Sequence, residues 1–152
     1  MFGTPQAKGE AMFEWWKDLL RPIRRIDPQF GSLRYLRDAR FWEGRAVFSP
    51  IKADVEVLIP GEPSGPTDQQ RAFFDEIQIR YDAFWPDVLR LMETEARRLE
   101  ISSRAFVLVC VDIPAPGDAD CTWALSYETN PPSWHFTVHM TAWTPAEVLA
   151  EC

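Results

Sequence analysis

The 152 residues contain no apolar run of bilayer length: the longest stretches, such as Ala105 to Val111, fall far short of the roughly 20 residues a membrane helix needs. The opening segment, Met1 to Glu10, lacks the basic start and unbroken apolar run of a secretory signal, and Glu14, Lys17 and Asp18 interrupt the next turns of chain. Cysteine is scarce as well. Cys110, Cys121 and Cys152 are an odd number without metal-ligand spacing, which suits a reducing compartment better than a disulfide framework. A cytoplasmic protein without membrane contact is expected. Positive charge is also short: the net charge of −7 speaks against a nucleic-acid binder, whose affinity comes largely from neutralising phosphates.

The motifs of common chemistries are missing too. The chain has no glycine-rich phosphate loop, nucleophile elbow, paired-cysteine ligand set or helical zinc motif. The loop Gly61-Glu62-Pro63-Ser64-Gly65 has two glycines, but Pro63 and the flanking Pro60 and Pro66 remove backbone donors that a phosphate needs. His135 and His139 lie on a segment of strand periodicity, where they are anchored about 13 Å apart, too far to share one ion. Asp54 and Glu56 share one face of a strand and could act as paired carboxylates, but Arg45 opposite Glu56 favours an ordinary cross-strand ion pair of Arg45 and Glu56. No catalytic residue, metal or cofactor is expected.

What is present is a foldable chain. At 46% hydrophobic, 26% charged and 13% aromatic it is on the globular side of the folded–disordered boundary, and its length is that of one domain, residues 1–152. Charge is unevenly spread. Residues 1–45 hold nine Lys/Arg against six Asp/Glu, and residues 46–152 hold seven against seventeen, so the second part is an acidic body. That asymmetry is either a solvated surface or a surface complementary to a basic protein partner.

Along the chain, Met12, Trp15, Trp16, Leu19 and Leu20 recur at helical spacing until Pro22, which predicts an amphipathic N-terminal helix. Alternating segments come next at about 30–36, 41–48 and 53–59. Pairing Phe48 with Ala53 gathers Trp42, Gly44, Ala46 and Phe48 on one face with Ala53, Val55, Val57 and Ile59, whereas a one-residue slip mixes the faces. Thr67 and Gln70 form a capping box that opens a helical stretch to about residue 100. Unbroken, that helix is about 50 Å long against a globule diameter of roughly 40 Å, so a bend or break is expected at Pro86. Three more strands are predicted near 105–113, 121–128 and 134–142, and Thr144-Pro145-Ala146-Glu147 reads as the start of a short C-terminal helix. The expected fold is α+β, with two three-stranded antiparallel meanders packed on a long Pro-bent helix.

The succession Phe30-Gly31-x-Leu33, Trp42-x-Gly44, Val55-x-Val57, Gln69-Gln70, Tyr81 with Trp85-Pro86, Leu125-x-Tyr127-Glu128, and His135 before Trp143 resembles small bacterial domains of unknown function. Some of these are suspected of accompanying toxin genes as immunity-type proteins. The resemblance covers residues 30–143 and implies no catalytic residue.

One polar cluster stands out. With Tyr127 and Phe136 on the buried side, the loop Asn130-Pro131-Pro132-Ser133 sets Glu128 opposite His135, Ser126 opposite Thr137 and Ala124 opposite His139, and Trp143 extends that face. Glu128, His135, Thr137 and Trp143 are the candidate binding residues. The function expected is non-enzymatic protein interaction. Its rivals are a small-molecule enzyme or carrier with an aromatic-lined pocket between sheet and helix, and a subunit of a homo-oligomer.

Overall fold

A computed structural model describes residues 22–102, 105–129 and 133–152, and the expected N-terminal helix lies outside them. Among the described residues the chain forms β1 (Ile23–Asp27), β2 (Gly31–Leu36), β3 (Phe41–Phe48), β4 (Ala53–Pro60), α1 (Asp68–Arg98), β5 (Phe106–Asp112), β6 (Thr122–Thr129), β7 (His135–Thr141) and β8 (Thr144–Glu151). The strands make one sheet in chain order. Every neighbouring pair is antiparallel except β4 and β5, which are parallel because α1 carries the chain across to the end of the sheet at which β4 begins.

This corrects the expected pair of three-stranded meanders: each half has four strands, and the halves merge edge to edge. β1 escapes the sequence pattern because its burial does not alternate, with Arg24, Arg25 and Ile26 all exposed. β8 replaces the short helix expected from Thr144-Pro145-Ala146-Glu147. It is a strand because a tight turn at Ala142, with φ of 49°, folds it directly back on β7. Pairing along that ladder outweighs the local helix signal. Pro145 is tolerated there because β8 is an edge strand with a bulge beside it, where a missing N–H costs little.

The expected break at Pro86 is also absent, since α1 runs as one helix of 31 residues through it. Pro86 is exposed, and so is Asp82, whose carbonyl loses its donor, so water can take the place of the missing bond. The helix begins as expected: Thr67 accepts from the Gln70 N–H at 3.1 Å and Gln70 accepts from the Thr67 N–H at 3.0 Å.

α1 covers one face of the sheet. Its buried stripe of Phe74, Ile77, Tyr81, Phe84, Val88, Met92 and Ala96 meets the alternate residues of the strands, including Leu33, Trp42, Val57, Leu125, Tyr127, Phe136 and Val138. The second hairpin has the register its pattern demands, with Phe48 opposite Ala53, Trp42 opposite Ile59 and Arg45 opposite Glu56. Gly44 on β3 lies where a Cβ would come within 2.5 Å of Cδ2 of the buried Leu33 on β2, so the Leu33 side chain fills the space that a methyl would need.

A buried polar joint ties the sheet to the start of α1. The Asp27 carboxylate accepts Arg71 Nε at 3.0 Å and Nη2 at 2.6 Å, and the N–H groups of Gln29 and Phe30 at 3.0 and 3.1 Å. Burial alone would raise the Asp27 pKa, but the Arg71 hydrogen bonds and the two backbone donors outweigh it and hold the carboxyl below its usual range.

Candidate functional site

With α1 on one side, the other side of the sheet is left bare among the described residues, and its polar side chains fall into rows set by the register. One row runs unbroken from edge to edge: Arg24, Arg34, Glu43, Leu58, Asp112, Ala124, His139 and Glu147. Beside it stand Arg45, Glu56, Cys110, Ser126, Thr137 and Leu149, and then Glu128, His135 and Glu151. The row order shows how charge is distributed. Arginines stand on β1 to β3, while carboxylates dominate β4 to β8.

Two shallow concavities cross the acidic half. One, of about 500 Å³, is lined by Arg45, Glu56, Cys110, Asp112, Ser126 and Glu128 among others. The second, of about 530 Å³, includes Asp112, Asp118, Ala124, His139 and Glu147. Asp112 belongs to both. Its position follows from the sequence of β5, an apolar central strand whose last residue turns outward to the open face.

Burial pushes the Asp112 pKa up to about 6; the nearby His139 opposes the rise and Glu56 adds to it. His139 acts across two strands because only the methyl of Ala124 stands between them. Cys110, next to Asp112, is driven up to about 12 by burial, with Asp112 and Glu56 contributing. It is therefore a thiol at neutral pH and a poor nucleophile. Among the described residues, no group of three His, Cys, Asp or Glu side chains could hold a metal ion.

Comparison with family models, curated proteins and solved structures finds no match.

Three of the four candidate residues come together on the open face. Glu128 stands opposite His135, with Oε1 4.0 Å from Nδ1, and Thr137 is two residues along the same strand. Trp143 does not join them. It stacks on Phe73 at 5.0 Å, with Arg80 4.6 Å above its ring, on the helix side of the sheet. The turn at Ala142 explains this, since it ends the alternation that would have carried Trp143 outward. Asp54 and Glu56 are both on the open face and, as expected, Arg45 is opposite Glu56.

Asp112 and Cys110 are site residues that sequence reasoning missed. The available signal was a lone carboxylate ending the apolar run Val107 to Val111. The layer between α1 and the sheet, by contrast, is filled by rings: Tyr81 packs on Trp85, Phe84 and Phe48, and its hydroxyl is 3.0 Å from that of Tyr127.

Proposed function

We propose that this protein acts by binding rather than by catalysis, taking a basic protein partner on the acidic half of its open sheet face, as an immunity-type protein would. The observation that carries the reading is Asp112. A carboxyl raised to about 6 is mostly ionised at neutral pH, and keeping it so on the folded protein costs stability. A lysine or arginine docked beside it removes that cost; Glu56 adds like charge near the point of contact, and Glu128 and Glu147 extend it along the two concavities. Cys110 as an unreactive thiol and the free cysteines fit a cytoplasmic setting better than thiol chemistry.

The test is capture from the native host at low salt, with an Asp112→Asn/Glu56→Gln double variant as the control. A partner that is captured by the wild type, released by salt and bound at least about tenfold less by the variant is expected. Recovery of no partner at low salt, or equal recovery by the variant, contradicts the reading.

A further inference from the structure

The two edges of the sheet are complementary to each other. β1 and β8 both have a free side among the described residues, and the strand directions, antiparallel throughout except at β4–β5, make these two edges run the same way. The row that begins with Arg24 on β1 ends with Glu147 on β8. Two residues further along each edge, on the same face, stand Ile26 and Leu149, which are 78% and 48% exposed and among the exposed large hydrophobics of the chain. Neither Arg24 nor Glu147 is in an ion pair among the described residues.

The geometry points to head-to-tail association with a second copy of this chain, in which β1 of one protomer adds in parallel to β8 of its partner. Repeating the sheet across its own edge keeps the open faces on the same side. It places Arg24 beside Glu147 and Ile26 beside Leu149, pairing opposite charges and covering both apolar side chains at once. Antiparallel pairing of two β8 edges has no such match, because Glu147 and Glu151 flank Leu149 symmetrically and face one another in the register centred on it.

The N–H and C=O groups on these edges that have no partner among the described residues supply the ladder. Because the interface is heterologous it does not close at two copies. Pro22 and Pro28 bound β1, and Pro145 takes a donor from the start of β8, so the contact is short and its affinity low. This association uses the sheet edges and does not depend on the basic partner proposed for the open face.

Sedimentation and light scattering of the full chain decide it. At low salt and up to about 1 mM, where contacts under about 1,000 Å² become populated, the mean mass should climb above 17.6 kDa without a plateau at two copies, and high salt should reverse the rise. Arg24→Glu alone and Glu147→Lys alone should each stay monomeric with unchanged circular dichroism, and mixing the two variants should restore assembly, since each then offers the other a matched edge. Four results overturn the inference: a wild-type monomer throughout the range, a plateau at two copies, assembly that ignores both substitutions, or variants that stay monomeric when mixed.

Discussion

Replacing Asp27 by alanine removes the acceptor for four hydrogen bonds, two from the Arg71 guanidinium and two from the backbone of the β1–β2 turn. The losses differ in kind. Arg71 keeps Asp68 at 2.7 Å and a side chain 25% exposed, so water can restore part of what it loses. The Phe30 N–H belongs to a residue with no exposed surface and is left without an acceptor. A buried unsatisfied donor costs about 1–3 kcal/mol, and each charged hydrogen bond about 1.5–3, with imperfect additivity, so Asp27→Ala should cost about 3 kcal/mol. Asp27→Asn should cost nearly as much, because an amide cannot accept on both oxygen positions. The sign of the pH effect follows from the lowered carboxyl pKa: the stabilisation is present above the unfolded value of about 3.9 and is lost as pH falls through the lower folded value. Urea unfolding of wild type and Asp27→Asn at pH 7 and pH 3 measures both quantities. A difference under about 1 kcal/mol at pH 7, or one that fails to narrow at pH 3, refutes this account of the joint.

Asp112→Asn should act oppositely. A folded pKa of about 6 means that Asp112 favours the folded state most below about pH 4 and loses that contribution as pH rises to about 6, so the variant should be more stable than wild type by about 3 kcal/mol at pH 8 and equal to it near pH 4 by thermal or urea unfolding. Gly44→Ala should cost about 1–3 kcal/mol in the same assay, since the buried Leu33 has to move to admit the methyl. Tyr81→Phe should cost about 1 kcal/mol by stranding the Tyr127 hydroxyl. With its phenol at about 12, Tyr81 should also stay unionised at pH 10 in an ultraviolet absorbance titration.

Much of the sheet was legible because one face of it is dry. The alternation of Trp42, Gly44, Ala46 and Phe48 permits only one register against β4, and that of Tyr127 and Phe136 does the same for β6 and β7. The edges were not legible for the converse reason. β1 has too little buried surface to impose a period, and Thr144-Pro145-Ala146-Glu147 obeys local helix rules that pairing with β7 overrides. Pro86 does not break the helix because the cost of a proline depends on which side of the helix faces water, and a sequence gives that side only once the core is known. The cross-strand pair of Glu128 and His135 was readable from register alone. The perturbed Asp112 was not, because its neighbours Glu56 and His139 arrive from β4 and β7, and the β4 contact depends on the one parallel pairing in the sheet.

The central claim is that the acidic half of the open face receives cationic side chains, and the carboxyl carbon of Asp112 reports on it most directly. Carbon NMR titration of the full chain should place Asp112 at about 6 when free, and a saturating lysine-rich peptide should move it down toward the ordinary carboxylate range, with amide shifts concentrated at Glu56, Ser126, Glu128 and His139. An Asp112 titration left unchanged by the peptide, or amide shifts confined to the helix side of the sheet, would contradict it.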